Sequence, residues 1–552
     1  MLGSSSRDQR EEPLLDHDRD GPPQLRTSRL LVVVLAVVCG SSVQFGYGQA
    51  VLTNLEQLGP ASLGESSHFA LWHWSLIVSG FGLGGALGSA LSSVLLSLSR
   101  RTALMLTSMI VMCSSAMLIN GRSWLTLFAG RVLSGAVVSS PRRAHRTTEA
   151  SLLACLHTPH ALVTLSQCTT LTRACVLDCA HVQAGITAGL VPLYFAEIAP
   201  LSLRSTLATS HQLGISLGCV ASLVLTTPEL LGSPTLWRYA FLIPAGLAAA
   251  QCLALPIYPE PSASVLAFGP ERAALASLSE LHASSSSGSL QSQARRAAEA
   301  AAEDWPGEPL SISELLGTRS LRRQMAIGLT LLLAMQLCGI DAIVCYSTRV
   351  LRVGGLHQPQ IASALLGVCN VPLTLFAVCL MDKFGRRTLL LVSWGGMCTS
   401  YVVVASCLTY MSYQSRASAA AADAAAAAGA ATGPDELDGL EFEQVRSVCV
   451  AGLVGVLAFF AVGPGSVAWF AIAEIFPAHA RDAALSLGVT VNWLANFGVL
   501  LAFPLVLEPL GPLTLYLFAL STFCLGCFTY RYVPETRERT IGSVTAMIDA
   551  IE

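Results

Sequence analysis

The chain has 552 residues, of which 53% are hydrophobic and only 12% charged, and its formal net charge is −3. Charged residues are at about half their usual ~25% share, and a soluble protein of this length could not hide so much apolar surface. A single lysine, Lys383, stands against 31 arginines with no basic tract, so nothing points to a nucleic-acid partner.

In chain order, residues 1–29 are polar and of mixed charge, and no cleavage pattern follows the start of the first apolar run at Leu30. This predicts a cytosolic N-terminal tail. Within it, Glu11-Glu12-Pro13-Leu14-Leu15 resembles an acidic dileucine sorting signal, although Arg10 occupies the place of the usual acid. Leu14 and Leu15 are thus candidate contacts for a sorting adaptor, or simply part of a disordered tail. Thirteen apolar runs follow, the fourth (124–137) and fifth (184–198) being short. Counted as one interrupted helix, they bring the total to twelve, each of a length suited to a bilayer of about 30 Å.

Arginine placement orients these spans. With the N-terminus inside, the cytosolic connections hold Arg100-Arg101, Arg204, Lys383, Arg386-Arg387, Arg481 and Arg537. The outer connections hold Arg122, Arg349 and Arg352, so the positive-inside bias is clear but incomplete. Residues 259–320, with a serine run and scattered charge, read as a cytosolic linker between two halves at 30–258 and 321–533, and 534–552 as a cytosolic tail. The alanine-rich stretch 417–432 reads as a low-complexity outer loop. The 17 cysteines lie mostly inside apolar runs, where they act as small hydrophobes, and imply neither disulfides nor redox chemistry.

The two halves carry related motifs. Ala196-Glu197-Ile198-Ala199-Pro200 precedes Arg204, and Ala473-Glu474-Ile475-Phe476-Pro477 precedes Arg481, each arginine lying seven residues after its glutamate. Arg100-Arg101 and Arg386-Arg387 each follow an apolar run. Duplicated motifs in a membrane chain indicate two related bundles with a substrate path between them.

Several ordered motifs add to this: Gln44-Phe45-Gly46-Tyr47, Gly130-Arg131, Val191-Pro192-Leu193-Tyr194, Gln212-Leu213-Gly214, Gln336-Leu337-Cys338-Gly339-Ile340, Asp382 through Arg387, Gly463-Pro464-Gly465 with Trp469, Asn492-Trp493 with Asn496, and Pro534-Glu535-Thr536. Together they resemble the facilitative sugar transporters of the major facilitator superfamily. The resemblance implies an all-α integral membrane fold of twelve transmembrane helices in two six-helix bundles, with no enzyme chemistry, cofactor or metal. It places Gln212, Gln336, Asp341, Asn370, Trp469 and Asn496 at the sugar, and Tyr346, Gly463, Pro464 and Gly465 at gates. It also places Arg131, Glu197, Arg204, Asp382, Arg386, Arg387, Glu474 and Arg481 in cytosolic salt-bridge clusters. The chemistry agrees: amides both donate to and accept from hydroxyls, and polar groups in a membrane helix are costly unless they face a cavity or a partner. Helix–helix hydrogen bonding is the plainer alternative for each amide taken alone.

The departures concern substrate identity. Met335 stands where the family has a first glutamine, Asp341 where it has asparagine, and Ala461 where many members carry glutamate. Proton-driven relatives carry a carboxylate just after Phe-Gly-Tyr, and here that position is Gly48. The reading is therefore facilitative uniport of a hexose or related sugar or polyol. Proton symport, a non-transporting sugar sensor and an inactive product of mis-splicing are the alternatives. The plasma membrane is the expected location, with endosomal, lysosomal or vacuolar membranes as alternatives.

Residues 138–183 interrupt the fourth span. The family separates the two glycines of its fourth-helix motif by three residues, whereas Gly135 and Gly185 are separated by 49. The interruption carries Arg142, Arg143, Arg146 and Glu149, at roughly 3 kcal/mol for each charge at bilayer depth. Its four cysteines and four histidines have no regular zinc-ligand spacing. Val138-Ser139 can be encoded as a splice donor (GTGAGC) and Gln183 as an acceptor (CAG), and removal of 138–183 restores the family spacing. A retained in-frame intron or an error in the gene model is the expectation.

Overall fold

The computed structural model describes residues 34–58, 71–95, 100–135, 204–257, 310–353, 359–381, 383–427, 436–537 and 541–550, with a few isolated positions between them. Every regular element among these is helical. Six helical stretches among them are long and apolar enough to cross a membrane. The predicted interruption, the N-terminal tail with Leu14 and Leu15, and most of the linker lie outside the described residues, as do Glu197 and Asp382.

Helix α1 enters through a π-helical turn, Val38–Val43, and continues as Gln44–Ala50. Then come α2 (Leu71–Leu95), α3 (Arg100–Asn120), α4 (Trp124–Gly135), α5 (Arg204–Leu225) and α6 (Leu242–Ala254). The second half has α7 in three pieces, α7a (Arg322–Leu337), α7b (Ile340–Cys345) and α7c (Ser347–Val353). It continues with α8 (Pro359–Met381), α9 (Arg386–Ala427), α10a (Glu436–Val462), α10b (Pro464–Ile475), α11 (Ala478–Leu510) and α12 (Thr514–Tyr532).

Lipid supplies no hydrophobic drive between helices, so packing depends on close backbone approach and hydrogen bonds. α1 and α5 meet through glycine: a Cβ at Gly46 would overlap the carbonyl of Ile215, and one at Gly218 that of Val43. The halves join along three seams, α2 with α11, α5 with α8, and α1 with α7b. Phe45, Phe81 and Trp493 stack edge to face across the first seam, with ring centroids 5.7–6.0 Å apart. In the second, Ser216 and Thr374 bond at 3.1 Å.

Three boundaries differ from the sequence reading. The alanine run is helical as far as Ala427, so α9 has 42 residues and a length of about 63 Å, twice the hydrocarbon thickness. Alanine is a weak membrane residue but the best helix former, and it extends a helix already nucleated inside the bundle. The second half reaches back into the predicted linker. Ser311 caps the short helix Ile312–Gly317 through a reciprocal box with Glu314, Leu315 is fully buried, and the Leu310 amide donates to the His479 carbonyl at 2.9 Å. The predicted tail forms a helix, Ile541–Asp549, whose Val544 and Ile548 are buried against the base of the second half.

Candidate functional site

α7 is broken where the sequence weakens it. Gly339 has φ of 80°, a left-handed conformation open to glycine at no cost, and a Cβ there would overlap the Phe518 ring. The freed Cys338 carbonyl accepts from the Tyr401 hydroxyl at 2.7 Å. Tyr346 marks the second break and anchors it by donating to the Leu500 carbonyl at 3.0 Å. α10 breaks at Gly463, immediately before Pro464, and the Ser466 hydroxyl donates to the Ala461 carbonyl at 2.7 Å. The predicted gate residues therefore stand at interruptions whose polar groups neighbouring side chains satisfy.

These breaks set polar side chains in the interior. The Asn496 amide donates to Gln336 Oε1 at 3.1 Å and to Asp341 Oδ2 at 2.6 Å. Gln336 Nε2 reaches Asn492 Oδ1 at 3.4 Å, and Asn492 donates to the Leu332 carbonyl at 2.8 Å. From the other half, Gln49 Nε2 donates to Asp341 Oδ1 at 2.7 Å. One chain of amides and a carboxylate thus joins α1, α7 and α11. Gln336 and Asn496 are buried, and Asn496 Oδ1 has no partner among the described residues. That free acceptor faces Gly82, where a Cβ would collide with it.

Of the predicted sugar contacts, Gln336, Asp341 and Asn496 come together. Gln212 is exposed on α5 and Asn370 half-buried on α8. Each lies one helical turn from the Ser216–Thr374 contact that joins those helices. Trp469 lies on α10b, and its side chain is outside the described residues. Sequence reasoning missed Gln49 and left Asn492 as a motif residue only. The signal for Gln49 was a second amide one position past Gly48 in an apolar run.

Beyond this network the outer ends of the halves are also tied. Thr348 donates to Asn54 Oδ1 at 2.7 Å, and Arg349 pairs with Glu56 at 2.5 Å. Glu56 lies past the end of α1 in the outer connection. Burial pushes its carboxyl above the ordinary carboxylate range, while Arg349 and then Arg352 draw it part of the way back. When the halves part, Glu56 returns to water and to an ordinary value. The closed outer end therefore binds the proton more tightly, and acidification toward the ordinary value favours closure. That advantage disappears as pH rises through the raised value. A distance measured between spin labels on the outer ends of α1 and α7c should shorten as pH falls, and Glu56→Gln should remove the dependence. A wild-type distribution that is flat with pH would refute this.

Of the residues predicted in cytosolic clusters, two form an ion pair among the described residues. Glu474 pairs with Arg386 at 3.2 Å and accepts from the Thr536 hydroxyl, while Arg481 makes no ion pair among the described residues. Glu535 accepts from the backbone amides of Arg386 and Arg387 at 2.8 and 3.2 Å, capping α9 with negative charge at the positive helix end. Arg387 donates to the Tyr530 carbonyl at 2.6 Å. Seven residues past Glu474, Arg481 lies on the next helix, α11. Arg131 departs from the prediction. It is 1% exposed inside the first half, donates to the Gly48 carbonyl at 2.6 Å and lies over the Phe81 ring, with no acidic partner among the described residues. α4 begins at the outer face, so a residue seven positions after Trp124 is still at membrane depth. Among the described residues no group of three or more His, Cys, Asp or Glu could hold a metal.

Two helical halves, seamed through broken helices and sharing an interior polar network, define a multi-pass membrane transporter of the major facilitator type. The model of the sugar (and other) transporter family matches residues 182–548. The facilitated glucose transporter member 4 of solute carrier family 2 from Mus musculus is 28% identical over 96% of this chain and 92% of its own. Member 3 from Oryctolagus cuniculus is 31% identical over 66% of this chain and 68% of its own. The inward-open, partially occluded xylose transporter XylE of E. coli superposes with a TM-score of 0.65 at 18% identity, over 93% of this chain and all of its own. XylE bound to 6-bromo-6-deoxy-D-glucose superposes with a TM-score of 0.64. The chain belongs to the sugar (and other) transporter family. It is a sugar transporter working by alternating access, not an enzyme.

Proposed function

We propose that the protein is a facilitative uniporter of a hexose or a related sugar or polyol. The observation that carries this reading is the interior network of Gln49, Asp341, Asn496, Gln336 and Asn492, which draws on both halves. Such groups exchange their mutual hydrogen bonds for those of a hydroxylated ring, and parting of the halves breaks the Gln49–Asp341 link. Gln336, Asp341 and Asn496 bind the sugar directly, with Gln212, Asn370 and Trp469 completing the site. Tyr346 and the Gly463-Pro464-Gly465 break act as gates, and the Glu474–Arg386 pair helps to hold the cytosolic ends of the second half together. Gly48, in place of a carboxylate, supports uniport. The plasma membrane is the proposed location, with Leu14 and Leu15 engaging a sorting adaptor.

Proton symport is the second reading, favoured by the one carboxylate in the network, Asp341. Uptake of labelled hexoses and inositol into proteoliposomes, with and without an inward proton gradient, separates the two. Uniport predicts equilibration at the external concentration with or without the gradient. Accumulation above it establishes symport, and no uptake of any of these solutes overturns the substrate class.

A further inference from the structure

Arg131 presents a charge problem that the transport reading does not use. Its side chain is 1% exposed within the first half, and its Nε has no hydrogen-bond partner among the described residues. Among the described residues its side chain makes one hydrogen bond, Nη1 to the Gly48 carbonyl at 2.6 Å, and its guanidinium lies 4.9 Å from the Phe81 ring, with the neutral groups Cys345 and Tyr346 of the other half also near. Arginine stays charged in proteins. Outside the 138–183 interruption, the apolar runs of the first half hold a single acid, Glu197 near the end of the run 184–198, which lies outside the described residues. Glu56 is already paired with Arg349 at the outer end. A buried, uncompensated guanidinium is expensive, and neither a carbonyl nor a ring supplies a full counter-charge.

Arg131 lines a small cavity of about 20 Å³ together with Gln44, Phe81, Ser114, Ser115 and Ser134. A water needs roughly 10–15 Å³ on the same measure, so the space suits one small particle and is far too small for a sugar. Ser114 and Ser134 donate their hydroxyls to the carbonyls of Gly130 and Arg131, at 2.9 and 2.8 Å, and Gln44 donates to Pro244. Ser115 is 2% exposed and lines the cavity, and its hydroxyl makes no hydrogen bond among the described residues, so it can donate into the space. The wall therefore offers two unused donors, one of them cationic, with apolar sides from Val111, Leu118 and Phe81.

We propose that this cavity binds a monatomic halide, chloride under physiological conditions, held by Arg131 Nε and the Ser115 hydroxyl. Water could fill the space but would leave the charge uncompensated, and carboxylates, phosphate or sulfate exceed its volume. The bound anion keeps Arg131 against Gly48, one residue before Gln49, which reaches Asp341 in the other half. Halide occupancy thereby stiffens α1 where it meets the polar network.

The test uses the purified full-length chain in lipid nanodiscs. Thermal unfolding is followed while sodium gluconate is replaced by sodium chloride or bromide at constant ionic strength, gluconate being too large for the cavity. The expected result is a saturable rise in Tm of several degrees with either halide. That rise should be lost in Arg131→Gln and weakened in Ser115→Val, which removes a donor and narrows the cavity. If Arg131→Gln does not fold, Ser115→Val decides. Equal stability of the wild type in gluconate and halide overturns the proposal. So does a halide response that persists unchanged in the variants, because the ion then binds elsewhere.

Discussion

A protein lacking residues 138–183 is expected to fold in higher yield and to transport faster than the full chain. The apolar run 124–137 has 14 residues, about 21 Å as a helix, and falls short of a bilayer core of about 30 Å. Joining it directly to residue 184 supplies the missing turns from the apolar run 184–198. The family match begins at residue 182, where the interruption ends. Each charge that the interruption would bring to bilayer depth costs roughly 3 kcal/mol, so the effect on folded yield should be large. Size-exclusion yield and sugar uptake of the two forms, with sequencing of mature transcripts across the junction, are the measurements. Retention of the segment in every transcript, with equal transport by both forms, would show that it belongs to the working protein.

The second large effect is expected at Asn496. Its amide donates both to Gln336 and to the Asp341 carboxylate. Asn496→Ala leaves Oδ2 of a buried carboxylate without its donor, a loss of roughly 1.5–3 kcal/mol for a bond to a charged group. It should weaken sugar binding by about 10–100-fold. Gln336→Ala removes bonds between neutral groups at about 0.5–1.5 kcal/mol and should cost several-fold. Asp341→Asn combined with Asn496→Ala should recover part of the loss, because the stranded charge is gone. Equilibrium binding and initial uptake rates, normalised to surface expression, check the order. Equal effects of the two alanine variants would place both amides in a purely structural role.

Much of this site was legible before the fold. Gln336, Asp341 and Asn496 stood out because an amide or acid in an apolar run needs a partner or a cavity. The Gly463-Pro464 break was readable because proline removes a backbone donor. Arg131 was misplaced because an arginine beside a glycine gives no depth by itself, and only the outer start of α4 puts it at mid-membrane. Glu474 was readable as a salt-bridge residue, but its particular partner was not, because cluster membership does not say which charges meet. The partner, Arg386, is 88 positions away in the chain and is brought near by the packing of α9 on α10b.

The sequence by itself determined the class of the protein. Run length, arginine bias and the duplicated motifs require two membrane bundles, because hydrocarbon leaves few other ways to satisfy a backbone. It also determined which residue types could meet a sugar. Tertiary structure alone decided which of them meet one another, since a contact such as Gln49 with Asp341 joins positions 292 apart and depends on how two halves close. It likewise decided that α9 continues through the alanine run, that Leu310 and the C-terminal helix belong to the second half, and that Arg131 lies buried without an acidic partner among the described residues. Local pattern sets what each helix can bury, whereas the partner it buries against is a property of the assembled bundle.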